Sequence, residues 1–316
     1  MVLVTKITKL LGIQHPIVQG GMQHIGTAEL ASAVSNAGAL AYPEALAKEI
    51  RRCRTMTDNP FGVNLTFLPA LRPPPYKEYA QAIIEEGVGI VETAGNNPGE
   101  YIKMFKQANM KVIHKCVAVR HALTAQRLGV DAVSMDGFEC AGHPGEDDIT
   151  ALILLAKSAR VLDIPFIASG GIGDGRGLAA ALALGAEGVN MGSRFMCTQE
   201  APVHPLIKQK MVEADERSTT LVYRPFRNTA RIYKNEIAMQ VNLREKDPNV
   251  KFEDIADLVS GVRGKQVFKT GIDDGVWTAG QVLGLIDDIP TCQELVERMV
   301  NEAQHIITDR LVRMTS

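Results

Sequence analysis

The sequence predicts an α/β fold, a (β/α)₈ TIM barrel with a helical cap domain inserted after strand eight. Three observations carry that expectation. Strand-like apolar runs alternate with helical patterns as far as Met191. Polar residues and glycines collect at the C-terminal ends of those runs, where the loops of such a barrel build a site. After Met191 the alternation stops, and residues 200–290 show helical segments without a further βα unit.

In chain order, the strand-like runs are Ile17 to Gln19, Ala39 to Ala41, Phe61 to Leu65, Gly89 to Glu92, Lys111 to His114, Asp131 to Met135, Pro165 to Ala168 and Gly188 to Met191. Helical patterns fill the gaps at 27–36, 43–56, 76–86, 98–108, 120–127, 147–161 and 174–183. Such alternation implies a parallel sheet, and a count of eight favours closure over an open doubly wound sheet. The open sheet would place a glycine fingerprint in the first βα turn with an acid about 20 residues on, which GGMQHIG fits poorly. Residues 1–199 plus 291–316 are therefore assigned to the barrel and 200–290 to the cap, with a closing helix from about 291 to 313. In the cap, Arg227, Arg231 and Lys234 have a spacing that suits one helical face.

At 316 residues, 46% hydrophobic and 22% charged, the composition is that of a globular protein with room for one large domain and an insertion. A net charge of -2 argues against nucleic acid or an anionic membrane as the main partner. No run approaches the roughly 18 apolar residues of a transmembrane helix. The N-terminus lacks the apolar stretch and cleavage site of a signal peptide, so it reads as the start of the fold. The five cysteines are odd in number, widely spaced and without a C-x-x-C pair. They indicate neither a zinc site nor a disulfide framework, and the expected compartment is the reducing cytoplasm. No histidine spacing suits a metal.

The chemistry concentrates in residues 131–147, DAVSMDGFECAGHPGED, a buried strand running into a loop with His143 near its apex. Gly142 and Gly145 flank that histidine and allow sharp bending. Asp147 and Asp148 are placed to cap the following helix. ASGGIGDG after the seventh run and NMGSRF after the eighth each offer small residues and free N–H groups beside a helix start, a ready anion site. Tight turns alone would also explain one such cluster, but two in adjacent loops favour a phosphate. Lys115, at the mouth end of its strand, has a charge that could neutralise one developing on a bound ring. His114 points the other way and reads as packed; His15 lies at the barrel's bottom end and His121, His204 and His305 in helical or surface contexts without a site role, while His24 lies nearer the mouth.

The segments HPIVQGGM, FGVNLT, VIHKC, GFECAGHPGEDD, IASGGIGDGRG and NMGSRF, in this order, resemble the nitronate monooxygenase (2-nitropropane dioxygenase) family, close to its NADH:quinone reductase branch. The resemblance implies an FMN-dependent barrel. By motif, Gly21, Met22 and Gln23 would lie along the flavin, and Thr66, Lys115 and Ala141 would contact the ring or ribityl chain. Ser169 with Gly171, and Gly192 with Ser193, would hold the phosphate, and His143 would stand at the catalytic histidine's position. In one place the chain departs from the family. ALAYPEAL passes almost directly from strand to helix where members carry a run longer by roughly eight residues, against usual loops of about 2–6.

Two activities follow from the resemblance. In the first, alkyl nitronates or nitroalkanes are oxidised with O₂, and His143 anchors the nitro oxygens or acts as base. In the alternative, NAD(P)H reduces the same FMN and a quinone reoxidises it, the cap's Arg227, Arg231 and Lys234 meeting the dinucleotide's pyrophosphate. The enoyl-thioester reductases share the barrel and stand as a more distant alternative. The partners implied are small molecules, and the reading is compatible with a homodimer.

Overall fold

The structure is a computed structural model and describes residues 3–41, 47–67 and 74–315. Its centre is a curled parallel sheet of seven strands: β1 (Ile17–Gln19), β2 (Gly62–Phe67), β3 (Ile90–Gly95), β4 (Lys111–Cys116), β5 (Ala132–Asp136), β6 (Phe166–Ser169) and β7 (Val189–Met191). The order is β1-β7-β6-β5-β4-β3-β2. Between the two edges lies the expected second run, 39–41. It forms only an isolated bridge, Val18 to Leu40, yet its hydrogen bonds reach both edges. Gln19 N donates to Leu40 O at 2.7 Å, and Gly62 N donates to Ala41 O at 3.0 Å. This arrangement is consistent with a TIM barrel. The short segment that departs from the family pattern falls on residues 42–46, outside the described residues.

Period-2 alternation divides the strands into two sets. Val18, Leu40, Ile90, Ile113, Ala132 and Ile167 form a small apolar cluster of their own. A helix the sequence did not announce, α1 (Lys6–Leu11), adds Ile7 and Leu11 to it. Thr5 caps α1 in a reciprocal box with Thr8, and its hydroxyl donates to Glu187 O at 2.6 Å, pinning the helix beneath β7. Two residues further along the same strands the side chains turn polar: Glu92, Lys115, Ser134 and Ser169. The barrel interior is thus an apolar plug below and a polar layer above.

The larger apolar cluster lies between the strands and their outer helices. These are α2 (Ala28–Asn36), α3 (Ala47–Arg54), α4 (Tyr76–Glu85), α5 (Gly99–Gln107), α6 (Val119–Arg127), α7 (Ala151–Val161) and α8 (Gly175–Ala183). The helix expected from 147 begins only at Ala151. Its first N–H is taken by Glu139, whose carboxylate oxygens accept from Ala151 N at 3.0 and 3.2 Å. Asp147 and Asp148 do not cap it. They pair with Arg120 and Arg224.

After β7 come α9 (Ser193–Met196), α10 (Pro205–Val212), an antiparallel hairpin of β8 (Thr219–Val222) and β9 (Ala230–Tyr233), α11 (Glu236–Arg244) and α12 (Gly261–Thr270). α13 (Cys292–His305) follows and continues through a π-helical turn (Ile306–Arg310) and a 3₁₀ turn (Val312–Met314), in line with the closing helix expected from about 291 to 313. The 200–290 segment is therefore not wholly helical. Val222, Ala230, Ile232, Ala238, Val241, Ile255 and Leu258 give it an apolar cluster of its own. Arg227, Arg231 and Lys234 share no helix face. Arg227 is in the left-handed region after a 3₁₀ turn, and Arg231 sits on β9 at 3% exposure. A strand of only four residues carries too little alternation to stand out against the charges around it. No described helix is long and apolar enough to cross a membrane.

Candidate active site

The strand ends and the segment after β7 enclose a cavity of about 890 Å³, within the range of cofactor and ligand sites. Every candidate flavin-contacting or catalytic residue from the sequence lines it, whereas Arg227, Arg231 and Lys234 do not. Gly21, Met22 and Gln23 follow β1, Thr66 is on β2 and Lys115 on β4. Ala141 and His143 belong to the loop after β5, Ser169 and Gly171 close β6, and Gly192 and Ser193 follow β7.

The floor of the cavity is a polar layer of which Lys115 and Ser169 were expected, whereas the network beneath the cavity, centred on buried Glu92, was not. Glu92 is fully buried on β3, beside Asn64 in the register of β2. Asn64 Nδ2 donates to Glu92 Oε2 at 2.7 Å, and Asn190 Nδ2 donates to Oε1 at 2.9 Å. Lys115 Nζ lies 3.5 Å from Asp136 Oδ2. Burial works to strip the proton from the Lys115 ammonium, but Asp136 and Glu92 outweigh it and hold its pKa above the ordinary value. Burial raises the Glu92 carboxyl, with Lys115, Asn64 and the Gly21 N–H opposing. The signal was present in the sequence: GVNLTF, IVETAG and KVIHKC each break an apolar strand with a polar residue at an inward position. Asp136, one residue past the expected strand end, completes the set.

The glycines form a cradle. A Cβ on Gly20 would stand 2.6 Å from Asn190 Oδ1 and 3.6 Å from Lys115 Nζ, and one on Gly21 would collide with the Asn64 side chain. Gly170 and Gly171 turn the backbone after β6 at φ +91° and +76°. Ser193 Oγ accepts from Gly280 N at 3.0 Å, which leaves the hydroxyl proton free to donate into the cavity. One expectation is corrected here. The start of α8 is not an open anion site, because Asp174 accepts from Gly177 N and Glu302 accepts from Gly175 N, both within 2.9 Å. Any anion must use the loop groups upstream of it.

His143 is half-buried, and its Nδ1 lies 3.1 Å from Thr229 O. A carbonyl only accepts, so Nδ1 carries a proton, and in the neutral ring Nε2 is the nitrogen that keeps its lone pair. His114 is packed as expected: it is buried against the Thr93 hydroxyl at 2.8 Å, and burial lowers it to about 4. His204 caps α10. Cys140 lines the cavity as a neutral thiol, its pKa pushed up by burial, and all five cysteines are buried and free. Across the cavity the wall is largely apolar, with Tyr76 and Tyr79 from α4, Phe268 from α12, and Trp277. Gly261, Gly264 and Lys265 of α12 stand beside them. Among the described residues no group of three or more His, Cys, Asp or Glu is placed to hold a metal ion.

The whole chain has relatives. The structure of FabK from Thermotoga maritima superposes with a TM-score of 0.90 at 36% identity, covering 99% of each chain. A hydroxy-methyl-oxo-octahydro-indene-carboxyl-CoA dehydrogenase of Mycobacterium tuberculosis is 32% identical over 95% of this chain and 96% of its own. A probable nitronate monooxygenase of Staphylococcus saprophyticus is 29% identical over 97% and 99%. Fold, cavity and relatives define an oxidoreductase of the flavin type. The family model for nitronate monooxygenase matches residues 4–302, and the chain belongs to that family.

Proposed function

We propose that the chain is an FMN-dependent oxidoreductase of the nitronate monooxygenase type, oxidising alkyl nitronates and nitroalkanes with O₂. The observation that carries the reading is His143, whose Nδ1–H is committed to Thr229 O so that Nε2 can accept a proton at the cavity wall. FMN, when bound, supplies the electron acceptor. The residues present suit it: Gly20 and Gly21 line the cavity with backbone alone, and Lys115 offers a cation beside them. Gly21, Met22 and Gln23 would run along the ring, with Thr66, Lys115 and Ala141 at its polar edge and ribityl chain. Ser169, Gly171, Gly192 and Ser193 would grip the phosphate. Residues 1–199 with 291–316 then make the FMN barrel, and 200–290 act as a cap over its mouth, in the cytoplasm.

A second reading, in which NAD(P)H is the reductant and a quinone or an enoyl thioester the acceptor, is favoured by two observations. Identity to FabK, an enoyl reductase, and to the CoA dehydrogenase exceeds that to the nitronate monooxygenase. Lys265 and Gly261 of α12 also place a cation and exposed backbone at the cavity. Arg231 no longer serves this reading, being buried against Phe138. Anaerobic mixing with propyl nitronate and, separately, with NADH, followed by flavin absorbance, decides the matter. Rapid bleaching by nitronate alone is expected, and bleaching by NADH alone transfers the assignment to the reductase.

A further inference from the structure

Given His143 as the base proposed above, we infer that Glu146 and Thr229 are positioning residues that fix which ring nitrogen of His143 meets the substrate. Thr229 lies 86 residues along the chain from His143. Its carbonyl selects the Nδ1–H tautomer, because an imidazole in water distributes its proton over both nitrogens and a fixed acceptor on one side settles the choice.

A carbonyl can do this only if it is held still, and Glu146 holds it. The two carboxylate oxygens of Glu146 accept from Thr229 N at 2.8 Å and Thr229 Oγ1 at 2.6 Å, a charge-assisted pair on one residue. Thr229 is 1% exposed whereas Glu146 is at the surface, so the anchor reaches inward from solvent to a buried peptide. On the other side of His143, Gly142 and Arg231 form an isolated antiparallel bridge, with Arg231 N donating to Gly142 O at 2.6 Å and Gly142 N to Arg231 O at 3.1 Å. The Arg231 guanidinium donates to Phe138 O at 2.8 Å and lies 4.6 Å over the Phe138 ring. His143 is thus strung between two ties to the same short stretch, Thr229 to Arg231. The Arg231 tie fixes the loop, and the Glu146 tie fixes the hydrogen-bond acceptor.

The test uses the holoenzyme with ¹⁵N-labelled histidine. The His143 ring signals are assigned by their loss in His143→Asn. Wild type is expected to show a protonated Nδ1 and a bare Nε2. Glu146→Ala, at a surface position, is expected to fold and keep its flavin but to populate the Nε2–H tautomer. Its kcat on neutral nitroalkane should fall roughly tenfold, part of the full value of a base, with KM little changed and nitronate oxidation spared. Glu146→Gln keeps an oxygen for Thr229 N and an N–H for Thr229 Oγ1, so it should restore the wild-type spectrum and rate. An unshifted tautomer in Glu146→Ala, or a Glu146→Gln as altered as Glu146→Ala, overturns the inference. A shifted tautomer with undiminished nitroalkane turnover upholds the positioning and instead removes the base role of His143.

Discussion

The floor of the cavity and the wall that carries His143 hold their polar groups by different means. On the floor, Glu92, Asn64, Asn190, Lys115 and Asp136 stand on five strands of one curled sheet and bond side chain to side chain. Register sets the Asn64–Glu92 spacing, and the curl of the sheet brings Asn190 of β7 to Glu92 of β3, strands that do not pair. At the wall, a loop after β5 is tied to a hairpin more than eighty residues away, largely through backbone groups. The contrast shows where each kind of damage should register. A change on the floor disturbs buried charges that the fold itself must accommodate, so stability and cofactor binding answer for it. A change at the wall leaves the sheet intact and alters only which atom faces the substrate.

The sharpest attempt to break that division is Lys115→Met. It leaves buried carboxyl groups without their cation, and the unfolding free energy should fall by about 3–5 kcal/mol along with flavin affinity. Denaturant titration and flavin release measure both. No change in either would make Lys115 an ordinary solvated lysine. At the wall, His143→Asn should keep FMN and stability while slowing neutral nitroalkanes by roughly 10²-fold. Nitronates, which need no proton removed, should lose less. Equal losses on the two substrates refute the base role, and loss of flavin would move His143 to the structural side of the comparison.

The floor should also respond to pH. Glu92 is held above its ordinary value, so the folded state keeps the proton longer than the unfolded chain. That contribution is fully present below the ordinary value of 4.5 and is lost as pH rises through the folded-state value. Lys115 is raised too, and its contribution persists through neutrality and fades only above 10.5. The flavin-free protein should therefore lose stability from pH 4.5 upward, by less than Lys115→Met costs, and Glu92→Gln should flatten the slope. Identical slopes in the two proteins would show that Glu92 does not titrate differently on folding. The smallest effect is expected at the mouth. Lys265→Ala should cost about 0.2–1 kcal/mol in KM for NAD(P)H or a CoA thioester and nothing for propyl nitronate. A loss confined to nitronate would contradict the placement of Lys265 at a phosphate-bearing substrate.

Much of the floor and wall was legible before any coordinates. Strands such as the run from Lys111 to His114, which the structure extends to Cys116, announced themselves because they are short and apolar, and the loop glycines marked many strand ends. Glu92 was visible as a strand-end polar residue, but nothing local says that it turns inward and meets Asn190, 98 residues on. The hairpin was lost because Arg231 looks like a surface charge until Phe138 covers it. The start of α8 looked like an anion site because Glu302, its second cap, comes from the far end of the chain. In each case the deciding partner is distant in sequence, and single-segment periodicity carries no trace of it.

The apolar plug beneath the sheet has a kinetic consequence. With Ile7 and Leu11 packed into the underside of the strands, traffic into the active site runs through the mouth. An electron donor and a bulky acceptor such as a quinone or an enoyl thioester must then share one doorway, so the reductase reading predicts a ping-pong rate law with parallel lines in double-reciprocal plots. Oxygen transfer to a nitronate needs substrate and O₂ present together, so the nitronate reading predicts intersecting lines instead.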